Sequence, residues 1–283
     1  MILNRNDMRK YAVMVCMVAL AVILGCSKDK DLNFFTVSQD IAFGEQLDSA
    51  ILANPLEYPI LKKSEYPQAY AYLEDMLNDI LASDEILYRD KFKWRITILN
   101  SDVINAFAAP GGYLYFYTGL IKYLDNGSQL SGIMAHEVAH ADRRHATEAM
   151  TKQYGFSILL SILLGKESSQ LEQILASLAL NGTILAFSRK NENEADKYAV
   201  YYTADTRYYN PLGIGGFFEK MLAETNTQSN GIADFLSTHP SDENRLANIN
   251  AEWTELQTAD PSLTSVEWQD LVAQHGTIKA ALP

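Results

Sequence analysis

The stretch His136-Glu137-Val138-Ala139-His140 constrains this chain more than any other. On a helix with 3.6 residues per turn, side chains four apart stand about 40° from each other around the axis, so both imidazoles reach one tetrahedral metal ion. Zinc takes nitrogen ligands at about 2.1 Å and suits such a pair. Glu137 lies beside the same face, near enough to touch a metal-bound water. Zinc acidifies that water, and a neighbouring carboxylate can deprotonate it for attack on a carbonyl. Five residues match by chance in unrelated helices, so the rest of the sequence has to support the reading.

The chain has only five histidines, His136, His140, His145, His239 and His275, and a zinc hydrolase needs one more protein ligand. Asn191-Glu192-Asn193-Glu194-Ala195-Asp196 offers it. Glu192 and Asp196 share a helical face, so Glu192 is the expected ligand and Asp196 the expected acceptor of a ligand histidine's outward N–H. Glu194 points about 160° away from Glu192 and is the runner-up. His145 follows His136 by nine residues, and on an unbroken helix about 900° of turn puts it on the opposite side. A metzincin needs its third histidine ten residues on, after a glycine. Neither feature is present, so a structural role is expected for His145.

The N-terminus reads as an export signal. Arg5, Arg9 and Lys10 precede an apolar run, Tyr11 to Leu24, that is too short to span a bilayer comfortably. The run ends in Ile23-Leu24-Gly25-Cys26, which resembles a bacterial lipobox and implies cleavage before Cys26 and acylation of that cysteine. The expected organisation is a signal peptide over 1–25, a polar tether over 26–34 and one domain over 35–283. Removing the signal leaves one cysteine, the anchor itself, so neither a disulfide framework nor cysteine zinc ligation is available. The formal charge is −12 for the whole chain, and no basic stripe suited to a phosphate backbone is present, so no nucleic-acid partner is expected. The expected location is the bacterial envelope, on the periplasmic face and at the outer membrane, held by the lipid on Cys26.

Apolar residues at three-to-four spacing predict helices over 38–52 and 64–81. Between Lys91 and Thr118 the period becomes two. Trp94, Ile96 and Ile98 predict a strand with one buried face, and Val103–Ala108 and Tyr113–Tyr117 predict two more around a turn at Ala109-Pro110-Gly111-Gly112. A small antiparallel sheet is expected. Ser128 is the expected cap of the helix that carries His136 and His140 and runs to about Lys152. Phe156–Leu164 reads as a buried helix or a flap near the site, with dipping into a membrane as the minority reading, and further helices are expected at 169–187 with a break at Gly182, 189–204, 211–225, 241–256 and 264–280. The fold class is thus α+β, mainly helical, with a small sheet beside the histidine helix.

HEVAH followed by Arg143-Arg144-His145, the segment 191–196, Asn105-Ala106-Phe107-Ala108 with Pro110-Gly111-Gly112, and Ser237-Thr238-His239-Pro240-Ser241 together resemble the M48 family of zinc metallopeptidases. The likeness is to its exported, Oma1-like branch and to periplasmic quality-control lipoproteins, over roughly residues 35–255. The resemblance implies a zincin-type domain, one zinc ion per chain, and Glu192 as third ligand. It also implies that His239 stands near the metal, bonding the oxyanion or filling the open position at rest, with Arg245 as its catalytic companion. Asn105, Ala106, Phe107 and Ala108 would line the cleft and pair with an extended polypeptide. The expected mechanism is water attack on a zinc-polarised peptide carbonyl with Glu137 as general base. The rival is a zinc-containing scaffold that captures unfolded chains without cutting them. The sequence does not fix an oligomeric state.

Overall fold

The computed structural model describes residues 33–181, 187–225, 232–240 and 244–283. The signal segment, Cys26 and the tether as far as Leu32 lie outside the described residues, as does the proposed break at Gly182.

The domain is mostly helical around one three-stranded sheet. Helix α1 (Val37–Leu52) begins with a capping box, in which Thr36 Oγ1 accepts from the Gln39 N–H while the Gln39 side chain accepts from the Thr36 N–H. Helix α2 (Pro67–Leu81) starts on a proline, whose missing N–H costs nothing in a first turn. The strands are β1 (Arg95–Leu99), β2 (Ala106–Ala109) and β3 (Tyr113–Tyr117), in the order β1-β3-β2.

The sheet is mixed rather than wholly antiparallel. β2 and β3 form the antiparallel pair, with Ala106 opposite Phe116, whereas β1 runs parallel to β3 with Arg95 opposite Tyr113. Gly111 and Gly112, at φ of 80° and 92°, close the β2–β3 hairpin in a conformation that side chains rarely adopt. Residues 100–105 return the chain so that β1 takes the remaining edge of β3. β2 is left as an edge strand.

Both sheet faces are covered, so the expectation of one buried face for β1 is corrected. Ile96, Ile98, Leu114 and Phe116 join one core with α2, while Leu99, Phe107, Tyr113 and Tyr115 join another with Phe43 and Leu47 of α1. Thr97 is buried as well.

A short helix, α3 (Thr118–Tyr123), leads to α4 (Gly127–Asp142), which carries the paired histidines and is buried along its whole length. Its cap is Asn126, whose Oδ1 accepts from the Gln129 N–H at 2.9 Å; the Ser128 hydroxyl donates instead to the Gln269 carbonyl. The helix stops ten residues short of the expected end. Arg144 adopts the left-handed conformation (φ 63°, ψ 31°) and a new helix, α5 (His145–Tyr154), begins. Tertiary contacts override local helix preference here: the Arg144 guanidinium binds Asp40 and the Phe35 carbonyl, and buried Asp142 accepts the Leu87 and Tyr88 N–H groups at 3.0 and 2.9 Å.

Helices α6 (Phe156–Leu163) and α7 (Ser168–Asn181) follow. In α6 Leu159 and Ile162 are buried while Ile158 is exposed, and no described helix is long and apolar enough to cross a membrane. Next come α8 (Arg189–Asp205), α9 (Gly213–Thr225), α10 (Ile232–Thr238) and α11 (Arg245–Ala259). The helix expected over 264–280 is in fact a 3₁₀ turn at Pro261–Ser265 and α12 (Val272–Ala281).

α4 packs most extensively on α8 and then on α9. The approach to α9 is backbone-close: a Cβ on Gly132 would stand 2.3 Å from the Ile214 nitrogen, and one on Gly213 would stand 1.9 Å from the Ser128 carbonyl oxygen. Gly132→Ala therefore forces the helices apart and is expected to cost roughly 1–3 kcal/mol, read as a lowered midpoint in denaturant unfolding.

Candidate metal centre

α8 is fixed at its start by a second capping box, in which Ser188 Oγ accepts from the Asn191 N–H and the Asn191 side chain returns a bond to the Ser188 N–H. One turn on, Glu192 and Asp196 share a face with Ala195 and Ala199, all buried. These alanines sit in the same core as Ala135 and Ala139 of α4, and their small size lets the two helices come close enough for carboxylates on one to meet imidazoles on the other.

Among the described residues, His136, His140, Glu192 and His239 present one donor atom each within 4.8 Å of one another. His136 Nε2 is 2.9 Å from His140 Nε2 and 3.5 Å from Glu192 Oε2, and His140 Nε2 is 3.5 Å from Glu192 Oε1. A tetrahedron with metal–ligand bonds near 2.1 Å has edges of about 3.4 Å, and the two imidazole nitrogens, each facing a different oxygen of the Glu192 carboxylate, are spaced on the scale a zinc-sized ion needs. His239 Nδ1 closes the group at 3.2 Å from Glu192 Oε1 and 3.3 Å from His136 Nε2. Its ring stacks on Phe235 of α10 at 4.6 Å.

Glu137 is fully buried, and neither of its carboxylate oxygens has a hydrogen-bond partner. Its Oε1 stands 3.4 Å from His239 Nε2, which is also without one. Asp196 lies behind the group, Oδ1 being 2.9 Å from His136 Nδ1. Arg245 holds Asp196 with Nε at 2.5 Å and Nη2 at 2.8 Å, reaches Glu192 Oε2 at 2.8 Å, and lies over the Phe218 ring.

The electrostatics call for a cation. Glu137, Glu192 and Asp196 put three carboxylates in a buried space against the single guanidinium of Arg245. A divalent ion would bring that balance to neutrality. Without it, protons are drawn in. Burial alone pulls the His136 imidazole down, but Asp196 and Glu192 outweigh it and push it up to about 9. Burial raises the Glu137 carboxyl above its ordinary range, against the opposing pull of His239 and His136. Glu192 is raised by burial too, yet His239 and Arg245 hold it well below the usual carboxylate range. Burial and the neighbouring His136 drive His140 well below an ordinary imidazole, which leaves a neutral ring with a lone pair to donate.

Glu194 does not enter the group; it is partly exposed and stands 3.4 Å from His145 Nε2. His145 is not on the far side of the helix, because the left-handed turn at Arg144 swings it back to within 3.0 Å of His140 Nδ1. Asn105 lies just ahead of β2, buried, and its Oδ1 accepts from the Ala106 N–H at 2.9 Å and is 3.4 Å from the Thr238 hydroxyl. The edge strand is thereby tied to the residue before His239. Ala106, Phe107 and Ala108 are all buried.

Sequence reasoning passed over Phe187, whose ring stacks on His140 at 3.8 Å and 19°. It stands one residue before the cap of α8, and no periodicity there marks it. Phe218 and Phe235 were missed in the same way, since each reads as ordinary core.

A buried pair of histidines on one helix facing a carboxylate from a later helix, with an unpartnered glutamate between, defines a metallohydrolase class of site. The model of peptidase family M48 matches residues 67–253, and the chain belongs to that family. It is 34% identical over 167 residues to the beta-barrel assembly-enhancing protease of Escherichia coli K12, covering 56% of this chain and 34% of that protein. It is 32% identical over 160 residues to the mitochondrial metalloendopeptidase OMA1 of Arabidopsis thaliana, covering 56% of this chain and 32% of the relative. To the beta-barrel assembly-enhancing protease of Yersinia pestis it is 29% identical over 224 residues, 75% of this chain and 43% of the other. The aligned region thus spans about a third to under half of these relatives' own length.

Replacing Arg245 with Leu removes the one guanidinium that grips both Asp196 and Glu192, leaving these buried carboxylates only the neighbouring imidazoles. In metal-free protein the expected loss of stability is about 3–5 kcal/mol, measured by urea unfolding in the presence of a chelator.

Proposed function

We propose that this chain is a zinc-dependent endopeptidase that hydrolyses misfolded or envelope proteins, with His136, His140 and Glu192 as metal ligands. The observation that carries this reading is the fully buried Glu137 with both oxygens unpartnered beside a cluster of donors, one each from His136, His140, Glu192 and His239, within 4.8 Å of one another. A non-catalytic scaffold has no use for that carboxylate. When bound, zinc supplies a Lewis acid for the scissile carbonyl and lowers the proton affinity of water. Glu137, buried and with neither oxygen engaged by another donor, takes the proton from water and passes it to the leaving amine. His239 Nε2 and Arg245 Nη1, neither with a hydrogen-bond partner, are the donors nearest to hand for the negative charge that develops on the carbonyl oxygen. Asp196 orients His136.

The substrate is an extended polypeptide laid against the edge strand at Asn105, Ala106, Phe107 and Ala108, where backbone pairing reads any sequence. The curated names of the relatives, one for beta-barrel assembly and one for mitochondria, support proteins of membranes and envelopes as the substrate class. Acylated Cys26 holds the enzyme on the periplasmic face of the outer membrane.

Glu137→Gln is expected to keep one zinc ion per chain by elemental analysis and to lower casein cleavage by about 10²–10⁴-fold. Undiminished cleavage by this variant removes the assignment. The wild type should release more than one equivalent of product per zinc and stop when a chelator is added; a single-equivalent burst supports the scaffold instead.

A further inference from the structure

The two helix-borne imidazoles are backed differently. His136 turns its outer nitrogen to a carboxylate, Asp196 at 2.9 Å. His140 has none behind it. Its Nδ1 faces Nδ1 of His145 at 3.0 Å, and His145 Nε2 lies 3.4 Å from Glu194 Oε2. His145 is 2% exposed and His140 fully buried, so water does not compete for the contact between the two rings, while Glu194 is partly exposed.

The protons along this line follow from the donor and acceptor inventory of a neutral imidazole. If His140 offers the Nε2 lone pair to a metal, its proton sits on Nδ1. That N–H meets His145 Nδ1, which must then offer a lone pair, so the His145 proton sits on Nε2, toward the Glu194 carboxylate. The two rings are nearly perpendicular, at 75°, as an N–H aimed at a neighbour's lone pair allows. Phe187 meanwhile covers a face of the His140 ring, restraining its tilt.

We propose that His145 is a positioning residue: it accepts the His140 Nδ1–H and fixes the tautomer and rotation that leave Nε2 free for the metal, with Glu194 holding His145 in turn. The inference rests on the reading of His140 as a zinc ligand. Because an imidazole rather than a carboxylate stands behind His140, the two ligand histidines are unequally polarised, and His136 is the more basic donor.

The test measures the zinc dissociation constant of the full chain by competition with a chromophoric chelator. His145→Leu is expected to raise it about 10- to 100-fold, the usual cost of losing a ligand's outer partner. His145→Asn places an amide oxygen where Nδ1 stood, accepts the same N–H, and is expected to recover the affinity to within about threefold of wild type. His145→Gln carries its amide at the Nε2 position instead and is expected to bind as weakly as the leucine variant. Glu194→Gln still accepts from His145 and should stay near wild type.

A folded leucine variant with wild-type zinc affinity overturns the proposal. If leucine prevents folding, equal affinities for the asparagine and glutamine variants overturn it as well. Wild type that binds zinc and digests casein alongside a leucine variant of equal affinity defeats this inference alone. Wild type that binds no zinc takes the functional reading down with it.

Discussion

Three carboxylates, two imidazoles on one helix and a guanidinium share a volume from which water is excluded, and the molecule is built around keeping those charges opposed. Removing such groups from water costs several kcal/mol each unless partners replace the lost solvation. Arg245 does part of that by gripping Asp196 and Glu192 together. What it leaves uncompensated has the magnitude and sign that a divalent cation supplies. The alanine-lined contact between α4 and α8 brings the donors together, and the glycine contacts of α4 with α9 let the helix sit deep enough to be wholly buried.

The break at Arg144 links this centre to the start of the domain. A left-handed arginine is disfavoured by roughly 1–2 kcal/mol, and it persists because its guanidinium is held by Asp40 and the Phe35 carbonyl while Asn33 Nδ2 donates to the Thr147 hydroxyl at 2.8 Å. The segment that precedes α1 therefore helps set the angle at which α5 leaves α4. That angle decides where His145 lands. A continuous helix would carry it away from the His136–Glu192 cluster; the broken one sets it against His140.

His136 shows the contrasting solution. Asp196 sits one turn beyond Glu192 on α8, so a single helix face supplies both a donor to the cluster and the acceptor behind His136. Asn105 extends the same economy to the sheet, since its contact with Thr238 joins the edge strand to the residue beside His239. Edge strand and histidine–carboxylate cluster are thus parts of one connected arrangement.

The sequence alone determined what depends on local periodicity. Histidines four apart on a helix, and Glu192 with Asp196 four apart on another, follow from 3.6 residues per turn, and the alternation through Ile96 and Ile98 follows from the pleat. Most of the helices were legible for the same reason. Tertiary structure decided what depends on contacts between distant residues. The parallel pairing of β1, the burial of Thr97, the end of α4 at Asp142, the stacking of Phe187 on His140 and the return of His145 each arise from partners far along the chain. A one-dimensional pattern carries no information about those partners, because the energy that selects them appears only when the chain has closed on itself.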